Sequence, residues 1–162
     1  MKKIEKWDLY NKNKELLNIV HTRGDKIPDG CYHLVVHIWI KNSKGQYLIS
    51  QRSPNKSTFP LMWENVGGAV ISGETSLEAA IRETKEEVGI DLTNASGKLL
   101  FTQVRENLKN IMDVYEYEYN GEISLDNATT DEVCDMKWAT KEEIKKMLEI
   151  GVFVKTLKYF ID

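Results

Sequence analysis

The chain has 162 residues with a formal net charge of -3, and 41% of them are hydrophobic against 29% charged. That length predicts one domain, residues 1–162, with enough apolar content for a real core, and the slight acidity gives no basic face for a nucleic-acid polymer. No apolar run approaches a membrane span, and Met1-Lys2-Lys3-Ile4-Glu5-Lys6-Trp7-Asp8 lacks the apolar stretch of a secretory signal. Cys31 and Cys134 lie far apart without metal-ligand spacing and read as reduced thiols of a cytoplasmic protein.

From Trp7 to Val20 the pattern is strand, polar turn at Asn11-Lys12-Asn13-Lys14, then a second strand through Leu16, Leu17, Ile19 and Val20. Residues 1–30 are thus expected to form a β-hairpin arm, either set on a compact core or added to an edge of the main sheet. Such an arm also offers a homodimer contact. Tyr32 to Ile40 (YHLVVHIWI) is the strongest strand candidate, rich in β-branched and aromatic residues. His33 and His37 project from one face of it, as a metal pair or as hydrogen-bonded groups beside a pocket. With no third imidazole or thiol ligand beside them, the second reading is preferred. Asn42-Ser43-Lys44-Gly45 makes a turn, and Gln46 to Arg52 returns as the partner strand of a hairpin. The turn-rich segment from Arg52 to Trp63 follows. Arg52 and Lys56 are candidates to meet phosphate oxygens, with solvent exposure the alternative for Lys56. Phe59 and Trp63 are candidates for a wall on which a base stacks, with core packing the alternative for Trp63.

Residues 68–90 read GAVISGETSLEAAIRETKEEVGI. A helix is expected from about Thr75 to Val88: Thr75-Ser76-Leu77-Glu78 has the form of a capping box, and Gly89 suits a left-handed C-cap. On that helix Glu83, Glu86 and Glu87 share a face, while Leu77, Ala80, Ile81, Thr84 and Val88 form a mostly apolar stripe. Like charges one turn apart repel by roughly 0.2–0.5 kcal/mol per pair. A hard divalent cation with oxygen ligands would offset that repulsion; a solvated acidic face is the alternative. Downstream, Leu99 to Arg105 and Asp113 to Tyr119 read as strands. Asn127 to Asp135 is a polar loop, Thr140 caps a helix beginning at Lys141, and Val152 to Phe160 follows Gly151 as a short helix.

The segment resembles the Nudix signature, G-x5-E-x7-R-E-U-x-E-E-x-G-U, through Gly68, Glu74, Arg82, Glu83, Glu86, Glu87, Gly89 and Ile90. Thr84 departs from the aliphatic residue that the pattern wants. The resemblance implies an α/β fold, a Nudix-type α/β/α sandwich around a mixed β-sheet, and the order of elements fits it. It implies that Mg²⁺ or Mn²⁺ is held by Glu83, Glu86, Glu87 and the backbone carbonyl of Gly68, with Arg82 paired to Glu74 to orient the ligands. The reaction implied is hydrolysis of a diphosphate linkage in a nucleoside diphosphate linked to another moiety, or in a related small molecule. Glu83 is the first choice of base, and Glu132 the best candidate from a distant loop, ahead of Glu106 and Glu116. Specificity is expected from Phe59, Trp63, the Tyr115–Tyr119 strand and the N-terminal arm.

The upstream half, with Arg23-Gly24-Asp25, YHLVVHIWI and Gln51-Arg52-Ser53, is similar to type 1 isopentenyl diphosphate isomerases and their hydrolase relatives. Those isomerases place a cysteine where this chain has Gly67 and carry a degraded set of signature glutamates, so hydrolysis is preferred over isomerisation. A non-catalytic nucleotide-binding module is the other alternative, disfavoured by the complete carboxylate set.

Overall fold

The computed structural model describes residues 3–162; Met1 and Lys2, where the expected arm and domain begin, lie outside the described residues. β1 (Lys6–Tyr10) and β2 (Leu16–Thr22) form their own two-stranded antiparallel sheet. The Asn11 side chain closes its turn by accepting the backbone N–H groups of Asn13 (2.9 Å) and Glu15 (3.0 Å), as asparagine commonly does in turns. The hairpin is an arm, not a sheet edge. The Tyr10–Tyr32 bridge and a bond from Ser72 N to Lys6 O (2.8 Å) tie it to the body, and the Asp8 carboxylate accepts from Ser72 Oγ (2.7 Å) and Gly73 N (2.9 Å).

The larger sheet is mixed and comprises β3 (His33–Lys41), β4 (Gln46–Arg52), β5 (Trp63–Glu64), β6 (Val66–Ala69), β7 (Gly97–Arg105), β8 (Asn110–Glu118) and β9 (Val133–Thr140). A strand has two hydrogen-bonding edges, and those of β3 are taken by β8, in parallel, and by β6, antiparallel. β4 therefore meets β3 only at Tyr47 opposite Lys41 and otherwise pairs with β9 and β5. The expected β3–β4 hairpin is consequently splayed. The segment from Trp63 to Ala69 crosses the opening, bonded first to β4 and then to β3.

Alternation along β3 separates two cores. Leu34, Val36, Ile38 and Ile40 pack with Ala79, Ala80 and Val88 of α1 (Ser76–Val88). On the opposite face Trp39 joins Ile49, Met112 and Val114 beneath Ile144 of α2 (Lys141–Glu149) and beneath Phe153 and Leu157. The last of these lies in the 3-10 segment Lys155–Phe160, found where a short helix was expected. Helix, sheet and helix make the sandwich.

The buried stripe of α1 differs from the expected one. It runs through Ala79, Ala80, Glu83, Thr84, Glu87 and Val88, so Leu77 falls about 70° from its centre at 3.6 residues per turn. Leu77 is accordingly 48% exposed. Two glutamates share the stripe that was read as apolar. Thr84 is buried with its hydroxyl donated to Ala80 O (2.7 Å), which satisfies the one polar group in its place. Tyr115 and Tyr117 belong to the α1-side core, with the Tyr115 hydroxyl against Ser76 Oγ (2.6 Å), and line neither of the cavities described below.

Candidate active site

α1 is delimited as its residues dictate. Thr75 Oγ1 accepts Glu78 N (3.1 Å) while Glu78 returns the bond to Thr75 N (3.3 Å), completing the capping box. Gly89 ends the helix with φ of 71°. Immediately before the helix, Glu74 receives Arg82 in a bidentate pair, Nε to Oε2 at 2.7 Å and Nη2 to Oε1 at 2.9 Å. The same guanidinium reaches Ala69 O (3.1 Å), Glu83 Oε1 (3.0 Å) and Glu86 Oε2 (3.2 Å). Arg82 thus locks the loop, β6 and two carboxylates together.

Glu83 lies flat against Gly68, where an added Cβ would come within 2.4 Å of the carboxyl group. Only glycine allows that approach. Glu83 and Glu87 are both buried and hydrogen-bonded to each other. Burial raises the pKa of Glu83, against the pull of Arg82. Burial, followed by the charges of Glu83, Glu64 and Glu132, raises Glu87 well above the carboxylate range. Burial therefore favours the protonated form of Glu87 facing Glu83. Among the described residues no three acidic, imidazole or thiol side chains converge as a ready metal cage. Glu83 and Glu86 are turned toward Arg82, and Glu87 toward Glu83.

A loop closes the site from across the sheet. Thr129 N and Thr130 N bond Glu86 O (2.9 and 3.2 Å), using a carbonyl left over by the end of α1. Gly89 has no side chain to hold off Asn127, whose atoms would lie 2.7 Å from a Cβ there. Ser53 then grips the loop further on, its N–H to Glu132 O (2.9 Å) and its hydroxyl to Asp131 O. These contacts bring Glu132 to the carboxylates of α1, with Lys56 Nζ at 3.7 Å from its carboxylate. The resulting cavity, about 230 Å³, is lined by Glu5, Glu64, Glu83, Glu86, Glu87 and Glu132 against Arg23, Arg52 and Lys56. Six glutamate carboxyl groups facing three cations form an oxygen-rich, acidic set that suits a hard divalent cation and would repel a bare diphosphate.

A second cavity of about 280 Å³ shares Arg23, Arg52, Glu64 and the Gly67–Ala69 stretch with the first, so the two form one cleft around β6. Its walls include Trp7, His33, His37, Asn65, Arg105 and Leu157. Trp7 stacks on His33 with ring centroids 3.9 Å apart. The Tyr159 hydroxyl sits 2.8 Å from His37 Nδ1 and accepts from Trp39 Nε1 (3.1 Å). Burial holds His37 neutral, down to about 3.

Glu74, Arg82, Glu83, Glu86, Glu87, Gly68, Glu132, Arg52 and Lys56 are therefore brought together. Arg52 also holds Glu64 (3.0 Å) and Thr58 O (3.0 Å), so it shapes the wall it belongs to. Phe59 and Trp63 line neither cavity: Phe59 is 49% exposed, and Trp63 packs beside the second core under Lys137 (4.7 Å to the ring centroid). Glu106 is bonded to Tyr32 and Lys12, away from the cleft. Trp7, Arg23, Glu64, Asn65 and Arg105 went unnoticed as site residues because none stands in a spaced motif. Only the polar Arg23-Gly24-Asp25 and the row formed by strand pairing hint at them.

Layers, crossing strand and acidic helix together define an α/β sandwich with an acidic cleft at the edge of its signature helix. The NUDIX domain family model matches residues 32–157. The chain is 38% identical over 156 residues to an uncharacterized Nudix hydrolase of Listeria innocua, covering 93% of this chain and 89% of that protein. It resembles the crystal structure of DR0079 from Deinococcus radiodurans with a TM-score of 0.76 and 30% identity, over 92% of this chain and 91% of that one. An isopentenyl-diphosphate Delta-isomerase of Citrobacter koseri is 29% identical over 126 residues, 74% of this chain and 68% of that protein. The chain belongs to the Nudix hydrolase family.

Proposed function

We propose that the chain is a metal-dependent pyrophosphohydrolase that cleaves the P–O–P linkage of a small-molecule diphosphate, a nucleotide derivative being the favoured class. The supporting observation is the surplus of carboxylates in the first cavity, which a phosphoanhydride can approach only if added positive charge neutralises it. Glu83, Glu86, Glu87 and the Gly68 carbonyl would hold Mg²⁺ or Mn²⁺. When bound, such an ion supplies charge to the diphosphate oxygens and acidifies water.

The protein's own groups do the rest. Arg82 fixes Glu83 and Glu86 on one side and the Glu74 loop on the other. Arg52 and Lys56 face the phosphates from the opposite wall. Glu83 takes the proton of the attacking water; Glu132, across the cavity, is the group to test against it. The isomerase alternative needs a side chain at position 67, where a Cβ would come 2.8 Å from Val36 O in the sheet. That contact favours hydrolysis. The free thiols Cys31 and Cys134 are in keeping with a cytoplasmic setting, and no helix among the described residues is long and apolar enough to cross a membrane.

A panel of nucleoside and non-nucleoside diphosphates with Mg²⁺ tests the reading by chromatography of the products. At least one compound should be split at the anhydride, with Glu83→Gln and Glu132→Gln ranked by turnover. A panel untouched at every metal concentration, or isopentenyl diphosphate isomerised without phosphate release, overturns it.

A further inference from the structure

The second cavity carries a charge that nothing nearby balances. Arg105 ends β7 opposite Asn110 of β8, which stands opposite His33 of β3, so strand register puts Arg105 and His33 in one row. Arg23 is paired with Glu5 (2.8 Å) and Arg52 with Glu64 (3.0 Å). Arg105, half-buried, instead gives its Nε–H to the neutral Asn110 Oδ1 (2.8 Å), and among the described residues no carboxylate pairs with it. Withdrawing a guanidinium from water without a counter-charge is costly.

Two more groups in the same lining have unused hydrogen-bonding capacity. His33 Nδ1 and Asn65 Nδ2 are buried without a bonding partner, on residues 7% and 4% exposed. The Asn65 amide faces the Tyr159 hydroxyl without completing a normal bond. That hydroxyl already receives Trp39 Nε1 and is bonded to His37 Nδ1, so its hydrogen-bonding capacity is largely used. The wall therefore offers the Asn65 amide and the Arg105 guanidinium as donors and carries positive charge. Buried polar atoms of this kind are normally satisfied, so a ligand with several acceptor oxygens matches them best.

We propose that this cavity is an oxyanion subsite, in which Arg105 binds a phosphate or carboxylate carried by the group attached to the diphosphate. Naming that ligand as part of a diphosphate substrate rests on the hydrolase reading above. The dimensions agree. Gly68 lies on β6, three strands from Arg105 and three residues along from its row, about 14 Å across the sheet and about 10 Å along it, or about 17 Å in all. A diphosphate and a sugar-sized spacer span that distance once the long arginine side chain reaches inward. The volume of about 280 Å³ equals about nine waters at the liquid's share.

The test has two arms on the full chain. In the first, pentyl diphosphates ending in a hydroxyl, a carboxylate or a phosphate are compared with Mg²⁺ present. A charge-assisted bond predicts a kcat/KM preference of about tenfold or more for a charged end, lost in Arg105→Gln and partly regained in Arg105→Lys. The better of the two charged ends identifies the anion. In the second arm, inorganic phosphate is titrated into metal-free protein while histidine NMR follows His33; its signals should shift saturably in the wild type and not in Arg105→Gln. Equal kcat/KM for all three ends with an unmoved His33 overturns the subsite while leaving the hydrolase standing. No hydrolysis of any compound, with His33 still responding through Arg105, does the reverse.

Discussion

Replacing Gly68 by alanine separates the steric demand of the site from the ordinary needs of a loop. The new Cβ would lie 2.4 Å from both Cδ and Oε1 of Glu83 and 2.8 Å from Oε2. Restoring van der Waals contact requires the carboxyl to retreat by about 1 Å. It cannot swing away freely, because Arg82 Nη1 holds Oε1 at 3.0 Å and Glu87 is bonded to it. Overpacking of this kind costs about 1–3 kcal/mol of stability, and a displacement near 1 Å at a reacting group costs about 10²-fold in rate. Gly73→Ala is the comparison. Gly73 has φ of 84° and open space where its Cβ would be, so alanine there strains only the backbone, by roughly 1–2 kcal/mol. Urea unfolding, Mn²⁺ calorimetry and kcat/KM on the same preparations give the answer. Gly68→Ala should lose metal affinity and about two decades of kcat/KM at a stability loss close to that of Gly73→Ala. Wild-type Mn²⁺ binding and turnover in Gly68→Ala would refute the placement of Glu83.

Glu87→Gln should fold like the wild type without metal, since the amide can donate to Glu83 as the carboxyl does, yet lose at least about 10²-fold in turnover; full activity would remove Glu87 from the ligand set. The raised pKa values of Glu83 and Glu87 mean that the folded, metal-free chain holds protons that the unfolded chain has released. Its stability should therefore fall as the pH rises from the ordinary value of 4.5 through about 7, relative to a Glu83→Gln/Glu87→Gln double variant, while Mn²⁺ affinity rises because binding displaces those protons. Parallel pH profiles in urea would contradict the shared proton. His37 should stay neutral to about 3, and long-range ¹⁵N–¹H spectra that show it titrating at an ordinary imidazole value would contradict its burial against Tyr159.

The parts of the site legible in the sequence are those whose chemistry is local in the chain. The capping box at Thr75 and the C-cap at Gly89 depend on residues within a turn of one another, so spacing alone identifies them, while the Glu74–Arg82 pair was expected from the resemblance to the Nudix signature. Glu132 was visible as a candidate, but its arrival depends on Glu86 O receiving the loop and on Ser53 holding Asp131 and Glu132, contacts that no spacing encodes. Phe59 and Trp63 were nominated for their ring type, and composition could not tell that Trp63 turns to the core beside Phe153. Leu77 was misplaced because the stripe of α1 admits Glu83 and Glu87, where a polarity rule assigns only apolar residues.

The splay of β3 from β4 explains why the site could form only here. With both edges of β3 occupied, β4 is turned away beyond Tyr47 and its far end carries Arg52 across from β6. The crossing segment must then come close to β3 on one side and to α1 on the other. Gly67 has Val36 O 2.8 Å from where a Cβ would be, and Gly68 has the Glu83 carboxyl at 2.4 Å. Two adjacent glycines thin the strand from both sides at the point where the two cavities join. A side chain at either position would press on β3 or on the ligand helix, so the continuity of the cleft and the position of Glu83 depend on the same pair of missing methyl groups.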